Sequence, residues 1–169
     1  MGYEEPPDAH VRVFGRVVTG HGVASGRAGD PRFPDGTLAL QWPHFATLDD
    51  LPLDRLHRAT INVDTAPRRV EAVAPWWTVR GVRWHDEVPA EDFSFVPCRA
   101  AIGAGPAADG LLYLPHPDTK PDHHQPAHVV ELLLPRMAGV HEGAVVRIDL
   151  PASQVDVVDP EDTASDPTG

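Results

Sequence analysis

Two oxygen-bearing side chains, Thr60 and Asn62, lie two residues apart in the β-branched segment 59–63. Alternate residues of a strand point to the same face, so the Thr hydroxyl and the Asn amide oxygen can converge on one point. Mg²⁺ keeps several waters, and two neutral protein oxygens beside a ligand's phosphates are enough to hold it. The spacing therefore predicts a Mg²⁺ site; the alternative is an ordinary polar strand face beside a turn.

The elements that must position this pair are predicted to be short strands. The chain contains 19 prolines and 14 glycines, which argue against long helices and for many turn-bounded strands. Strands are predicted at 10–19, 37–41, 60–64, 70–73, 78–84, 93–102, 111–114 and 145–150. Segment 48–57 is predicted to be a short helix or a turn, and 129–134 a helix or a strand. This pattern predicts an all-β fold, a small barrel with little helix.

The domain organisation follows from length and composition. A chain of 169 residues fits one domain, predicted here at 10–155. It is flanked by a loose polar N-terminal end, 1–9, and an acidic tail without apolar periodicity, 156–169, predicted to be disordered. The Gly-, Pro- and Asp-rich segment 20–35 is predicted to be a long loop, and such loops in compact domains are often functional.

Charge and cysteine content limit the partners. The net charge of −11 disfavours nucleic acid and anionic membranes as partners, because both require a basic surface. A small phosphorylated ligand stays compatible, since it requires only a local site of N–H groups, metal or arginine. Cys98 is the only cysteine, and neither a signal segment nor a membrane-length apolar run is present. These features predict a soluble, cytoplasmic protein.

Four segments follow one another in an order that resembles a known family. Segment 15–22 reads GRVVTGHG and segment 59–62 reads ATIN, similar to the patterns G-x-V-x-x-G-x-G and G-T-L-N. Segment 99–119 has a strand, a glycine turn and an apolar strand that ends in a Pro and Thr/His loop. Segments 131–135 (ELLLP) and 140–146 (VHEGAVV) are similar to E-I-I-A-P and L-x-D-G-D-x-V. Together they resemble archaeal CTP-dependent riboflavin kinase.

The resemblance implies a six-stranded cradle-loop (RIFT-like) barrel and a kinase site. It implies that Thr60 and Asn62 hold Mg²⁺ on the nucleotide phosphates, and that Glu131 orients or deprotonates the acceptor hydroxyl. The reaction it implies is transfer of the γ-phosphoryl group of CTP to riboflavin, which gives FMN. The nucleotide-binding residues that it implies are Gly20, His21, Gly22, Thr119, Lys120, His123 and His124.

Departures from the family pattern leave alternatives open. Ala59 replaces the glycine of G-T-L-N, and Trp76, Trp77 and Trp84 occupy a region that is short in the family. A non-catalytic nucleotide- or flavin-binding module, or a scaffold, on the same barrel is therefore the second hypothesis. A third, weaker one is a metal-dependent enzyme that uses the histidine-rich segment 116–128.

Overall fold

The computed structural model describes residues 9–19, 36–120 and 126–160. These residues form nine strands and one helix, so the β-rich fold class is confirmed, whereas the expected count of six strands is wrong. The elements are β1 His10–Val18, α1 Thr37–Phe45, β2 Thr60–Asp64, β3 Arg69–Ala72, β4 Trp77–Val82, β5 Glu91–Ile102, β6 Ala108–Pro115, β7 Val129–Leu133, β8 Val145–Pro151 and β9 Val155–Val158.

Seven of the strands form one antiparallel sheet. Its order is β4-β5-β6-β7-β2-β1-β8, and β8 also pairs with β5. The remaining strands, β3 and β9, pair with each other. Along one edge of β5 the neighbour changes from β4, which reaches Phe95, to β8, which starts at Arg99. Pro97 lies at this change of neighbour, a position that suits a residue with no N–H to donate.

The sheet separates two apolar clusters, because alternate residues of each strand point to opposite faces. The first cluster contains Val130 and Leu132 of β7 together with apolar residues of β1, β2, β5, β6 and β8. The second cluster contains Leu133 of β7 and lies against α1. Neighbouring residues of one strand thus belong to different cores.

Helix α1 corrects the strand predicted at 37–41. The apolar alternation of Leu38 and Leu40 over five residues imitates a strand. The side chains that α1 buries against the second cluster are Leu38, Trp42 and Phe45, which follow helical spacing. Burial of these three side chains at helical spacing against the sheet therefore outweighs the strand-like alternation of the local sequence.

Two segments with open predictions are now assigned. Residues 48–57 form turns without a helix, as in the bond from Leu56 N to Leu53 O of 3.1 Å. Residues 129–133 form β7, between β2 and β6. Strand β9 extends past Asp156, the residue at which the predicted tail begins, and pairs Asp156 with Glu71 of β3.

Within the described ranges, the single helix is too short to cross a membrane.

Candidate functional site

The structure brings Thr60, Asn62 and Glu131 together on one face of the sheet. Asn62 of β2 lies directly opposite Glu131 of β7. The hydroxyl of Thr60 donates a hydrogen bond to Oε1 of Glu131 over 3.2 Å. Glu131 is buried at 8% exposure, whereas Thr60 and Asn62 are only half-buried. Thr60 lies opposite Leu133, so this is the face of the second cluster.

Tyr113 of β6 extends the row formed by Thr60, Asn62 and Glu131, and it connects this row to α1. It lies directly opposite Glu131. Its phenolic hydroxyl donates a hydrogen bond of 2.7 Å to Oε1 of Gln41 in α1, and both side chains are buried. A buried polar contact therefore attaches α1 to the strand beside Glu131. Nothing in the sequence pattern distinguished Tyr113 and Gln41 from core residues.

A second carboxylate, Glu91, is buried on this face and was not predicted from the sequence. It is 3% exposed, and the indole Nε1 of Trp84 donates to its Oε2 over 2.7 Å. Burial raises the pKa of Tyr113 well above its usual value, and the charges of Glu131 and Glu91 raise it further. Two acidic groups thus act on one buried phenol within a largely apolar layer.

Basic side chains lie beside Thr60, where β2 begins. Arg58 precedes Thr60 by two residues, and its Cζ lies 5.2 Å from the ring centroid of Trp42 in α1. The amide of His57 donates to the carbonyl of Leu134 over 2.9 Å, which attaches this segment to the end of β7. Burial lowers the pKa of His57, and the charge of Arg136 lowers it further. This end of the row is therefore positively charged.

The structure describes only two of the predicted nucleotide-binding residues, Thr119 and Lys120. The amides of Thr119 and Lys120 donate to the carbonyl of His116 over 3.1 and 3.0 Å, and Oγ1 of Thr119 accepts from the amide of Asp92 over 2.9 Å. Nε2 of His116 lies 2.6 Å from Oγ of Ser94. Because Ser94 alternates with residues of the second cluster in β5, this contact lies on the opposite face from Glu131. The other predicted nucleotide-binding residues, Gly20, His21, Gly22, His123 and His124, lie outside the described residues.

The donor set suits a hard cation. Among the described residues, no group of three or more His, Cys, Asp or Glu side chains could hold a metal ion. The hydroxyl, amide and carboxylate oxygens of Thr60, Asn62 and Glu131 are the ligand types that Mg²⁺ accepts. Of the histidine-rich segment, residues 121–125 lie outside the described residues, and Nε2 of His128 lies 3.8 Å from Oδ1 of Asp64.

Cys98 and the three tryptophans of segment 76–84 have surroundings typical of structural residues. Burial and the charge of Asp109 raise the pKa of the Cys98 thiol to about 12, so this cysteine is a poor nucleophile. Trp84 is part of the second cluster, and the indole of Trp77 donates to the carbonyl of Asp49 over 3.1 Å. Trp76 is exposed and makes an edge-on contact with Trp77.

The chain matches no protein-family model, and no curated protein and no solved structure is significantly similar to it.

Proposed function

We propose that this protein is a riboflavin kinase-like phosphotransferase. In this proposal it transfers a phosphoryl group, with Mg²⁺, from a nucleoside triphosphate, CTP by resemblance, to riboflavin or a related alcohol. The observation that carries the proposal is the common face of Thr60, Asn62 and Glu131, with Asn62 opposite Glu131 and the Thr60 hydroxyl bonded to it. The resemblance assigns Thr60, Asn62 and Glu131 to one site, and these three residues are neighbours in space.

The hydrogen-bond direction supports Thr60 as a ligand. The hydroxyl gives its proton to Glu131, and its oxygen lone pairs stay available for a cation. The amide oxygen of Asn62 is the second neutral ligand in this proposal. Mg²⁺ bound here with a nucleotide would neutralise phosphate charge during transfer. Since one oxygen of Glu131 accepts from Thr60, the geometry favours an orienting role for Glu131 over that of a general base.

The reaction requires little covalent chemistry from the protein. The acceptor oxygen forms a bond to the γ-phosphorus while the bond to the nucleoside diphosphate breaks, and the alcohol proton is released. Such transfers depend mostly on positioning and on charge neutralisation. The half-buried Thr60 and Asn62 can face a ligand, whereas the buried layer around Tyr113 and α1 excludes water behind them.

The finer fold is part of the same proposal. We infer a cradle-loop barrel in which the main sheet closes between β8 and β5. The pairing of β8 with both β1 and β5 supports this arrangement, because it returns the strand order to β5.

The direct test incubates the protein with riboflavin, Mg²⁺ and either CTP or ATP, and measures FMN by chromatography. We expect FMN to form, and we expect Asn62→Ala to lower the rate roughly 100-fold, as for removal of other groups that stabilise transition-state charge. Thr60 offers a matched pair: Thr60→Ser keeps the hydroxyl and should retain turnover, whereas the isosteric Thr60→Val should lose it.

Two results would contradict the proposal. One is the absence of FMN with every nucleoside triphosphate; the other is unchanged turnover in Asn62→Ala. The binding-module hypothesis predicts ligand binding without turnover, which thermal unfolding detects, since a ligand at 100 times its Kd adds roughly 2.7 kcal/mol of stability.

A further inference from the structure

Arg58 is the cation closest in sequence to the proposed Mg²⁺ ligands, and the structure fixes where its guanidinium lies. Its Cζ is 5.2 Å from the centroid of the Trp42 ring, within the range of a cation–π contact. Trp42 belongs to the second cluster together with Leu133, the residue opposite Thr60. The guanidinium therefore lies on the same face as Thr60 and Glu131.

The charge of Arg58 is not neutralised by a carboxylate in the part of the chain that the structure describes. Other arginines in these ranges form ion pairs with aspartates, as in Arg80–Asp92 and Arg99–Asp109. Arg58 is exposed, and stacking occupies only the flat face of a guanidinium, so its edge N–H groups can still donate. It is thus an exposed cation, stacked on Trp42, in a chain of net charge −11.

We propose that Arg58 binds a phosphate group of the Mg²⁺-bound nucleoside triphosphate, and that Trp42 is the positioning residue that holds it. This inference rests on the proposed function. A guanidinium donates two parallel hydrogen bonds to phosphate oxygens, which a compact ammonium does not.

The test measures binding without requiring turnover. Isothermal titration of the full chain with CTP and Mg²⁺, in the absence of riboflavin, gives the Kd of each variant. We expect Arg58→Ala to weaken binding roughly 10- to 100-fold, the loss typical of hydrogen bonds to a charged group. Arg58→Lys should recover part of the affinity, and Trp42→Phe, which keeps an aromatic ring, should weaken binding by less than Arg58→Ala. Arg99→Ala is the matched control, because it removes an equal charge from an exposed ion pair and should change Kd less than about twofold.

A second titration, with pyrophosphate and Mg²⁺, identifies the group that Arg58 contacts. A similar fold loss in Arg58→Ala for CTP and pyrophosphate supports a phosphate contact, whereas a loss confined to CTP overturns it in favour of the base or the ribose. If Asn62→Ala loses CTP binding and Arg58→Ala keeps it, the role of Arg58 is wrong and the proposed function stands. If the unmodified protein binds no nucleotide, the proposed function fails, and the role of Arg58 fails with it.

Discussion

The two faces of the main sheet are built from the same strands but differ in polarity. On β7, Leu132 packs into the first cluster and Leu133 into the second. The first cluster consists of apolar residues and Cys98. The second face also buries two carboxylates, Glu91 and Glu131, beside the phenol of Tyr113.

This difference agrees with the proposal that the second face carries chemistry in addition to stabilising the fold. Burying a carboxylate costs free energy, and replacing buried ionic groups by apolar ones of similar volume is often neutral or stabilising. A face that served only to pack α1 on the sheet would therefore not require Glu91 and Glu131. Their presence beside the half-buried Thr60 and Asn62 is the pattern expected of a binding site.

Substitution of the neighbours Leu132 and Leu133 should have the largest effect on stability and should distinguish the two faces most clearly. Both are completely buried, so either change to Ala should lower the free energy of unfolding by about 2–5 kcal/mol, measured by urea denaturation. Leu133→Ala should also weaken binding of CTP and Mg²⁺, because Leu133 lies opposite Thr60. Leu132→Ala should leave that affinity unchanged. An equal loss of affinity in the two variants would mean that the faces do not differ in function.

Tyr113→Phe tests the polar contact within the second face. It removes the hydroxyl that donates to Gln41 and leaves a buried amide oxygen unpaired. We expect a loss of about 1–3 kcal/mol in urea denaturation. In the double variant with Gln41→Leu the unpaired oxygen is also removed, so its loss should be smaller than the sum of the single losses. Additive losses would show that the hydroxyl and the amide do not act as a pair.

The same phenol predicts a weakening of the fold at alkaline pH. Burial, Glu131 and Glu91 raise the pKa of Tyr113 well above its usual value of 10.0 in the folded protein. Above pH 10 the unfolded chain loses this proton while the folded protein keeps it. The stabilisation is therefore complete below the unfolded pKa and is lost as the pH rises above it. Urea midpoints between pH 9 and 11 should fall less in Tyr113→Phe than in the unmodified protein; equal slopes would contradict the raised pKa.

Sequence patterns predicted the strands better than the helix, and they indicated three residues of the proposed site. The β-branched runs that gave β1 and β2 are local signals, whereas the burial of Leu38 and Phe45 depends on a sheet that forms from distant segments. Thr60, Asn62 and Glu131 were singled out because their spacing matches ordered motifs. Arg58 and Glu91 were not, because no local pattern shows that a guanidinium stacks on Trp42 or that a carboxylate turns inward.

The second face is covered by α1 and its neighbours over β4 to β7, but on β1 the same side of the sheet is solvent-exposed. Phe14 is 59% exposed there, and Arg12 makes a bidentate contact with Asp149 of β8, at 2.7 and 3.1 Å. Since this pair is exposed, we expect the smallest effect of all on unfolding, in contrast to that of the covered Tyr113.

Asp149→Asn measures that effect through its pH dependence. The hydrogen bond from Arg12 holds the pKa of Asp149 below its usual value, with the charges of Arg12, Arg147 and His10 acting in the same direction. A lowered folded pKa contributes stability above the unfolded pKa, and this stability is lost as the pH falls through the folded one. The urea midpoints of the two proteins should therefore differ slightly at neutral pH and converge in acid. A difference that persists below the folded pKa, or one as large as that of Tyr113→Phe, would mean that the uncovered part of this face contributes to stability as the covered part does.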